Sequence, residues 1–220
     1  MLLLDSRGVY RGELLSKIPG LEHGFGTRLS EKWPKRPVIA LKQVHSGRVI
    51  PASEATPKTE GDALICGDAG KFLSIRTADC LPLLFADSKK RVVAAAHAGW
   101  RGTVAEIAAR TVEAMEKRFG SNPRDLVVAM GPCIGDCCFE VGPEVATQFR
   151  KFLPERRDLD RVAKISLREA NVRQLLSVGI RAEQIEMSDA CTKCGTELFH
   201  SYRRDGKAAG RMTAMIGLLR

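Results

Sequence analysis

The chain has 220 residues, 44% hydrophobic and 28% charged, the balance of an ordinary globular protein and not of a disordered one. That length suits one well-buried domain over residues 1–220, and no stretch approaches the roughly 20 apolar residues that a membrane span needs. A formal charge of +9 invites nucleic acid, but the basic residues are dispersed among acids and only 5% of residues are aromatic, so small anions such as phosphate are the better-matched ligands.

The first segment, MLLLDSRGVYRGELL, lacks a basic n-region, a long apolar core and a small-residue cleavage site, so a cytoplasmic location is expected. Residues 1–30 end in HGFGTRLS, which predicts a strand and turn; His23 there has no partner at metal-site spacing and reads as exposed or structural. SEKWPKRP is a loop. VIALKQVHSGRVI predicts two strands around a turn at Ser46-Gly47, with His45 closing the first. After a loop over 51–60, GDALIC, FLSIR, LPLLFA and VVAAAH predict four short strands. Asp62 stands at the entrance of the first, Cys80 lies between the second and third, and His97 ends the fourth.

A helix is predicted from Thr103, as its cap, to Phe119, with Gly120 as the stop and Pro123 beyond. DLVVAM is a strand, followed by the turn GPCIGDCCFEVG and a helix over Pro143–Phe152. SLREANVRQLLSVG predicts another helix, with Ser166 and Glu169 in capping-box register and Gly179 ending it. QIEMSD is a strand, and the tail runs from loop into a last apolar strand. The fold class is α/β.

Seven cysteines, an odd number without the spacing of a small disulfide scaffold, point to thiols kept for packing, metal or catalysis. His45, Cys80 and His97 lie in three separate strand-end contexts. They suit a zinc site with three protein ligands and one position open for water or substrate. The same atoms would serve a thiol hydrolase, with Cys80 the nucleophile, His97 the base and Asp79 or another acid orienting the imidazole. Buried packing would account for them too. Cys133, Cys137 and Cys138 with the Cys191-x-x-Cys194 pair read as a disulfide, a redox pair or packing in preference to metal. Arg76 and Arg101 flank the proposed ligands, and Arg203, Arg204 and the Gly210-Arg211 pair suit either an anion such as phosphate or a solvated surface loop.

KQVHSGRV, GDALI, IRTADCLPLLFAD, VVAAAHAGWRGT, GPCIGDCCFEVG and SYRRDG followed by GRM, in this order, resemble the YfiH/LACC1 family, once labelled multicopper polyphenol oxidoreductases. The resemblance implies an α/β fold of mixed β-sheets layered between helices, similar to that of bacterial deamidating toxins with a Cys-His dyad. It implies zinc, with copper as the other metal described for such proteins, on His45, Cys80 and His97. It implies phosphorolysis of adenosine, inosine, guanosine and 5′-methylthioadenosine, and deamination of adenosine. Purine nucleosides and phosphate would be the ligands, with no nucleic acid and no membrane. Asp79 or Asp62 would then move a proton, and Arg76, Arg101, Arg203 and Arg204 would hold phosphate. Relatives described as peptidoglycan editing factors keep a Cys-His amidase or esterase in view. A copper oxidase suits the chain poorly, since several copper centres call for more than the four histidines present.

Overall fold

Successive side chains of a strand face opposite ways, so a strand that is apolar at every position needs a covering layer on both faces. The computed structural model, which describes residues 1–30 and 32–220, is built around two such strands. The chain opens with β1 (Leu2–Leu4), β2 (Val9–Gly12), a single helical turn α1 (Glu13–Ser16) and β3 (Leu21–Gly26). Next come β4 (Val49–Pro51), β5 (Ala63–Cys66), β6 (Phe72–Thr77), β7 (Leu81–Asp87), β8 (Val92–Ala98), α2 (Trp100–Val104), α3 (Ile107–Phe119) and β9 (Leu126–Met130). The remainder holds β10 (Glu140–Val141), α4 (Pro143–Ala146), β11 (Ala163–Lys164), α5 (Leu167–Ser177), β12 (Ile185–Met187), α6 (Tyr202–Asp205) and β13 (Met212–Leu218).

Among the described residues, a six-stranded mixed sheet runs β12-β9-β7-β8-β5-β4, and a five-stranded antiparallel sheet runs β1-β2-β3-β13-β6. The pair β10-β11 makes a small separate ribbon. Every residue of β7 and β8 is buried. Leu83 and Phe85 with Ala94 and Ala96 pack against Ile107 and Met115 of α3 and Leu175 of α5. The alternate residues Leu84, Ala86, Val93 and Ala95 pack against Phe25, Leu73, Ile75 and Ile216 of the five-stranded sheet. Helices, six-stranded sheet and five-stranded sheet thus form successive layers, with β7 and β8 in the middle. Fully burying a Leu or Phe here contributes about 1.5–3 kcal/mol. Alanines on β8 let helix and second sheet approach closely. The fold is mixed α/β, as expected. Among the described residues no helix is long and apolar enough to cross a membrane.

Three expectations are corrected. The first strand over Val38–His45 does not form; only isolated bridges, Ile39 to Leu73 and Lys42 to Glu60, mark it. Backbone amides that a ladder would have used turn instead to the Asp62 carboxylate. The helix from Thr103 is two helices, broken where Glu106 takes a φ of 60°. Thr103 is no cap: it is fully buried, and Asn171 and Gln174 of α5 donate to its hydroxyl and carbonyl at 2.9 and 2.8 Å. The apolar period continues across the break, so periodicity does not register it. The helix from Pro143 is α4 and a 3-10 turn, Thr147–Phe149.

Other ends stand as expected. Gly120 caps α3 with a φ of 67°. The Ser166 hydroxyl accepts from the Glu169 amide at 3.1 Å, although the Glu169 carboxylate turns to Arg173 at 2.7 Å. In the loop read at SEKWPKRP, Glu31 lies outside the described residues.

His23 is structural. It is buried in β3, and its Nε2 accepts the Gly12 amide proton at 2.9 Å. Burial, with the Arg11 guanidinium nearby, pulls it down to about 4. The unfolded chain therefore takes up a proton near pH 6.5 that the folded chain refuses until about pH 4, and stability falls as pH drops through that window. The loss attributable to His23 is about 3 kcal/mol. His23→Gln keeps an acceptor that does not titrate, so wild type should lose stability relative to it between pH 6.5 and 4 in urea unfolding. Parallel curves would mean that His23 is not held neutral.

Candidate active site

β7 and β8 are antiparallel neighbours, so the residue entering one and a residue ending the other meet at the same edge. Pro82 lies opposite His97, which brings Cys80, two residues earlier, beside that imidazole. Asp79, just before Cys80, has a φ of 87°. Its carboxylate accepts from the hydroxyls of Thr192 at 2.6 Å and Ser201 at 3.0 Å, and from the Arg203 amide at 2.6 Å. These bonds hold a backbone conformation that costs free energy for a residue with a Cβ. Asp79 fixes the turn that presents Cys80; it does not orient His97.

That task falls to Asp62. The side chain is fully buried, and its Oδ1 meets His97 Nδ1 at 2.9 Å. The same carboxylate accepts the amide protons of Val44, His45 and Ser46 at 3.3, 2.9 and 2.6 Å, and the Ser46 hydroxyl at 2.8 Å. His45 is thereby held with a φ of 60° and its ring 4.8 Å from that of His97, at 73° to it. Ligand-type atoms of His45, Cys80 and His97 lie within 4.8 Å of one another. Gly99 makes room for them. A Cβ there would come within 2.9 Å of Cys80 Sγ and 3.0 Å of His45 Cδ2.

Charge follows geometry. Burial would raise the Cys80 thiol, but the imidazoles of His97 and His45 draw it down to about 6. Burial would lower His97, but the Cys80 sulfur and the Asp62 carboxylate lift it to about 9. Burial would raise Asp62, but His97 and Ser46 hold it down at about 2. The three donors suit a metal. One is a thiol already inclined to ionise, and Asp62 engages His97 Nδ1, leaving Nε2 for coordination with an oriented carboxylate behind it. A Cys-His-His set fits zinc.

These residues open into a cavity of about 1010 Å³. Arg76, Arg101, Arg203 and Arg211 line it, with Trp100, Phe139, Tyr202, Gln43 and Asp79. Three guanidinium groups lie over rings of the same cavity: Arg101 over Trp100 at 4.2 Å, Arg203 over Phe139 at 5.4 Å and Arg211 over Tyr202 at 5.9 Å. Gln43 clamps the Arg76 backbone, donating to its carbonyl at 2.9 Å and accepting its amide proton at 2.8 Å.

Arg204 is not brought to the cavity. Its guanidinium donates to the carbonyls of Thr192, Lys193 and Phe199 and to the Asp205 carboxylate, and so ties loops together. Asp62 lies behind His97 and is likewise absent from the cavity lining, so it cannot touch a ligand there. Gln43, Trp100, Phe139 and Tyr202 escaped sequence reasoning. Each sits within two residues of a residue or motif already singled out (QVH, GWRG, CCFE, SYRR), which was the available signal. All seven cysteines are free thiols, so of the three readings of the later ones the disulfide is not formed.

Residues 27–219 match the family described as multi-copper polyphenol oxidoreductase laccase. The chain belongs to this family. A purine nucleoside phosphorylase of Deinococcus radiodurans is 43% identical over 181 residues, 82% of this chain and 70% of the relative. YfiH of Escherichia coli, also named a purine nucleoside phosphorylase, is 36% identical over 84% of this chain and 75% of its own. Adenosine deaminase RL5, from an unknown prokaryotic organism, is 38% identical over 79% of this chain and 72% of its own. Among solved structures, YlmD of Geobacillus stearothermophilus superposes with a TM-score of 0.88 at 29% identity, covering 100% of this chain and 99% of that one. The expected YfiH/LACC1 membership and mixed α/β fold both hold.

Asp62→Ala should lower unfolding free energy by about 3 kcal/mol, because it strips partners from partly buried amides and leaves His97 unpaired. Guanidinium unfolding would measure it. A loss below about 1 kcal/mol would mean that the 42–48 loop is held by something other than this carboxylate.

Proposed function

We propose that this chain is a zinc-dependent purine nucleoside enzyme. It phosphorolyses adenosine, inosine, guanosine and 5′-methylthioadenosine to free base and sugar 1-phosphate, and it deaminates adenosine to inosine. One observation carries the reading: a His-Cys-His donor set and four arginines face a single cavity. The names of the relatives support it, two being purine nucleoside phosphorylases and one an adenosine deaminase.

His45, Cys80 and His97 would hold the ion, which when bound supplies Lewis acidity at the cavity floor. With His97 Nδ1 engaged by Asp62, Nε2 would be the atom left to hold the ion. Arg76, Arg101, Arg203 and Arg211 bind phosphate and neutralise it. In phosphorolysis a phosphate oxygen bonds to C1′ as the bond from C1′ to the base breaks, and the base departs with the bonding pair and gains a proton. Guanidinium groups laid over aromatic rings hold the phosphate in one place, which lowers the entropic cost of that encounter. Apolar ring edges alongside give the purine a surface to lie on. In deamination water adds at C6 and ammonia leaves.

A second reading is favoured by one observation, the low Cys80 thiol beside a raised His97 backed by Asp62. In it Cys80 attacks an amide or ester and His97 carries the proton. Zinc-loaded enzyme given adenosine should yield adenine and ribose 1-phosphate when phosphate is present, and inosine when it is absent. Cys80→Ala and His45→Ala should lose both activities together with the zinc held by His45, Cys80 and His97, and Arg203→Ala should raise KM for phosphate about 10-fold or more. Turnover in chelator with rapid loss on alkylating Cys80 would replace this reading by the thiol one. No turnover by folded, zinc-loaded protein would sink the nucleoside assignment.

A further inference from the structure

A second group of sulfur atoms gathers away from the His45–Cys80–His97 set. Cys137 and Cys138 come from the loop after β9, and Cys191 and Cys194 from the loop after β12. The backbone brings the loops together through a bridge between Cys133 and Cys191, where the Thr192 amide donates to the Cys133 carbonyl at 3.0 Å. All four sulfur atoms lie within 4.8 Å of one another, Cys138 to Cys194 at 3.4 Å and Cys137 to Cys194 at 3.9 Å.

A single ion holding four thiolates at about 2.3 Å in a tetrahedron spaces its sulfur atoms about 3.8 Å apart. Disulfide bonding needs about 2.0 Å and would join pairs, whereas here four converge. Packing does not explain them either. Cys137 and Cys194 are exposed, while Cys66 and Cys133 are the buried cysteines that fill core space. Gly135 completes the nest: its amide donates to Cys191 Sγ at 3.2 Å, and a Cβ there would press on Cys137 Sγ at 3.1 Å. Amides aimed at a ligating sulfur are the usual support of a thiolate site.

We propose that Cys137, Cys138, Cys191 and Cys194 form a tetrathiolate site for one zinc ion, a clasp between two loops that wall the cavity. Four soft sulfur donors select zinc over calcium or magnesium. The clasp reaches the reaction centre through one residue. Thr192, between its ligands Cys191 and Cys194, donates to Asp79, and Asp79 holds the turn that presents Cys80. Its role is positioning.

The test uses Cys80→Ala, which disables the other site and leaves the clasp untouched, so its outcome does not depend on the nucleoside reading. After loading with zinc under reductant and exhaustive dialysis, this variant should retain one zinc per chain by elemental analysis. Cobalt in its place should show intense sulfur-to-metal charge transfer and tetrahedral d–d bands, and chelation should lower its thermal midpoint by about 5 °C or more. Adding Cys137→Ser and Cys194→Ser should remove that ion. A Cys80→Ala chain that holds no zinc would overturn the proposal, as would zinc that persists when Cys137 and Cys194 are both replaced.

Discussion

A carboxylate sealed from water is costly unless its lone pairs are used, and Asp62 uses them on parts of the chain that have no other reason to meet. It sits one residue before β5, in the sheet, and reaches both His97 at the end of β8 and the irregular segment bearing His45. Its own carbonyl also accepts the His97 amide at 2.7 Å, so ring and backbone of that histidine are fixed by one residue. Everything at the floor of the cavity depends on this arrangement. His97 is lifted in part because Asp62 faces it, and Cys80 is lowered because His97 is charged. The donor set is electrostatically prepared for a cation by an acid that never touches the cavity.

The sheet strands were legible because they are strands of the simplest kind. LPLLFA and VVAAA are apolar without interruption, as strands buried on both faces require. Thr103–Phe119 was misread for the complementary reason: its apolar period is real on both sides of Glu106, and a single left-handed residue leaves no trace in a period. His45 was placed on a strand because VIALKQVH has strand composition. What decides its conformation is a carboxylate 17 residues further on. The donor types were legible and their convergence was not. The role of Asp62 was legible only as acid near a site, since its partner His97 is 35 residues away.

The charge of the chain acquires a meaning that composition could not supply. Positive residues are scattered along the sequence and do not form a run. Folding nevertheless brings Arg76, Arg101, Arg203 and Arg211 from β6, α2, α6 and the residue just before β13 to one cavity. Cations crowded together repel, and the three pairings with Trp100, Phe139 and Tyr202 give three of the guanidinium groups a fixed resting surface. The aromatic residues are too sparse for a nucleic-acid platform, yet Trp100, Phe139 and Tyr202 each lie under a guanidinium in this one cavity.

Cys80 and His97 are positioned by β7 and β8 of the six-stranded sheet, and Arg76 by β6 of the five-stranded one. Much of the rest of the cavity wall lies on short helices and loops, tied by side chains that join distant segments: Gln43 to Arg76, Asp79 to Arg203, and Arg204 to Thr192 and Lys193. Each such bond joins residues between 11 and 124 positions apart, a separation at which local pattern carries no information. This division of labour has a physical logic. Bonds of this kind are individually worth about 1 kcal/mol, so a wall made of them is softer than the sheet beneath it. The loop carrying Thr192 meets the Cys80 turn through the hydrogen bond from the Thr192 hydroxyl to Asp79.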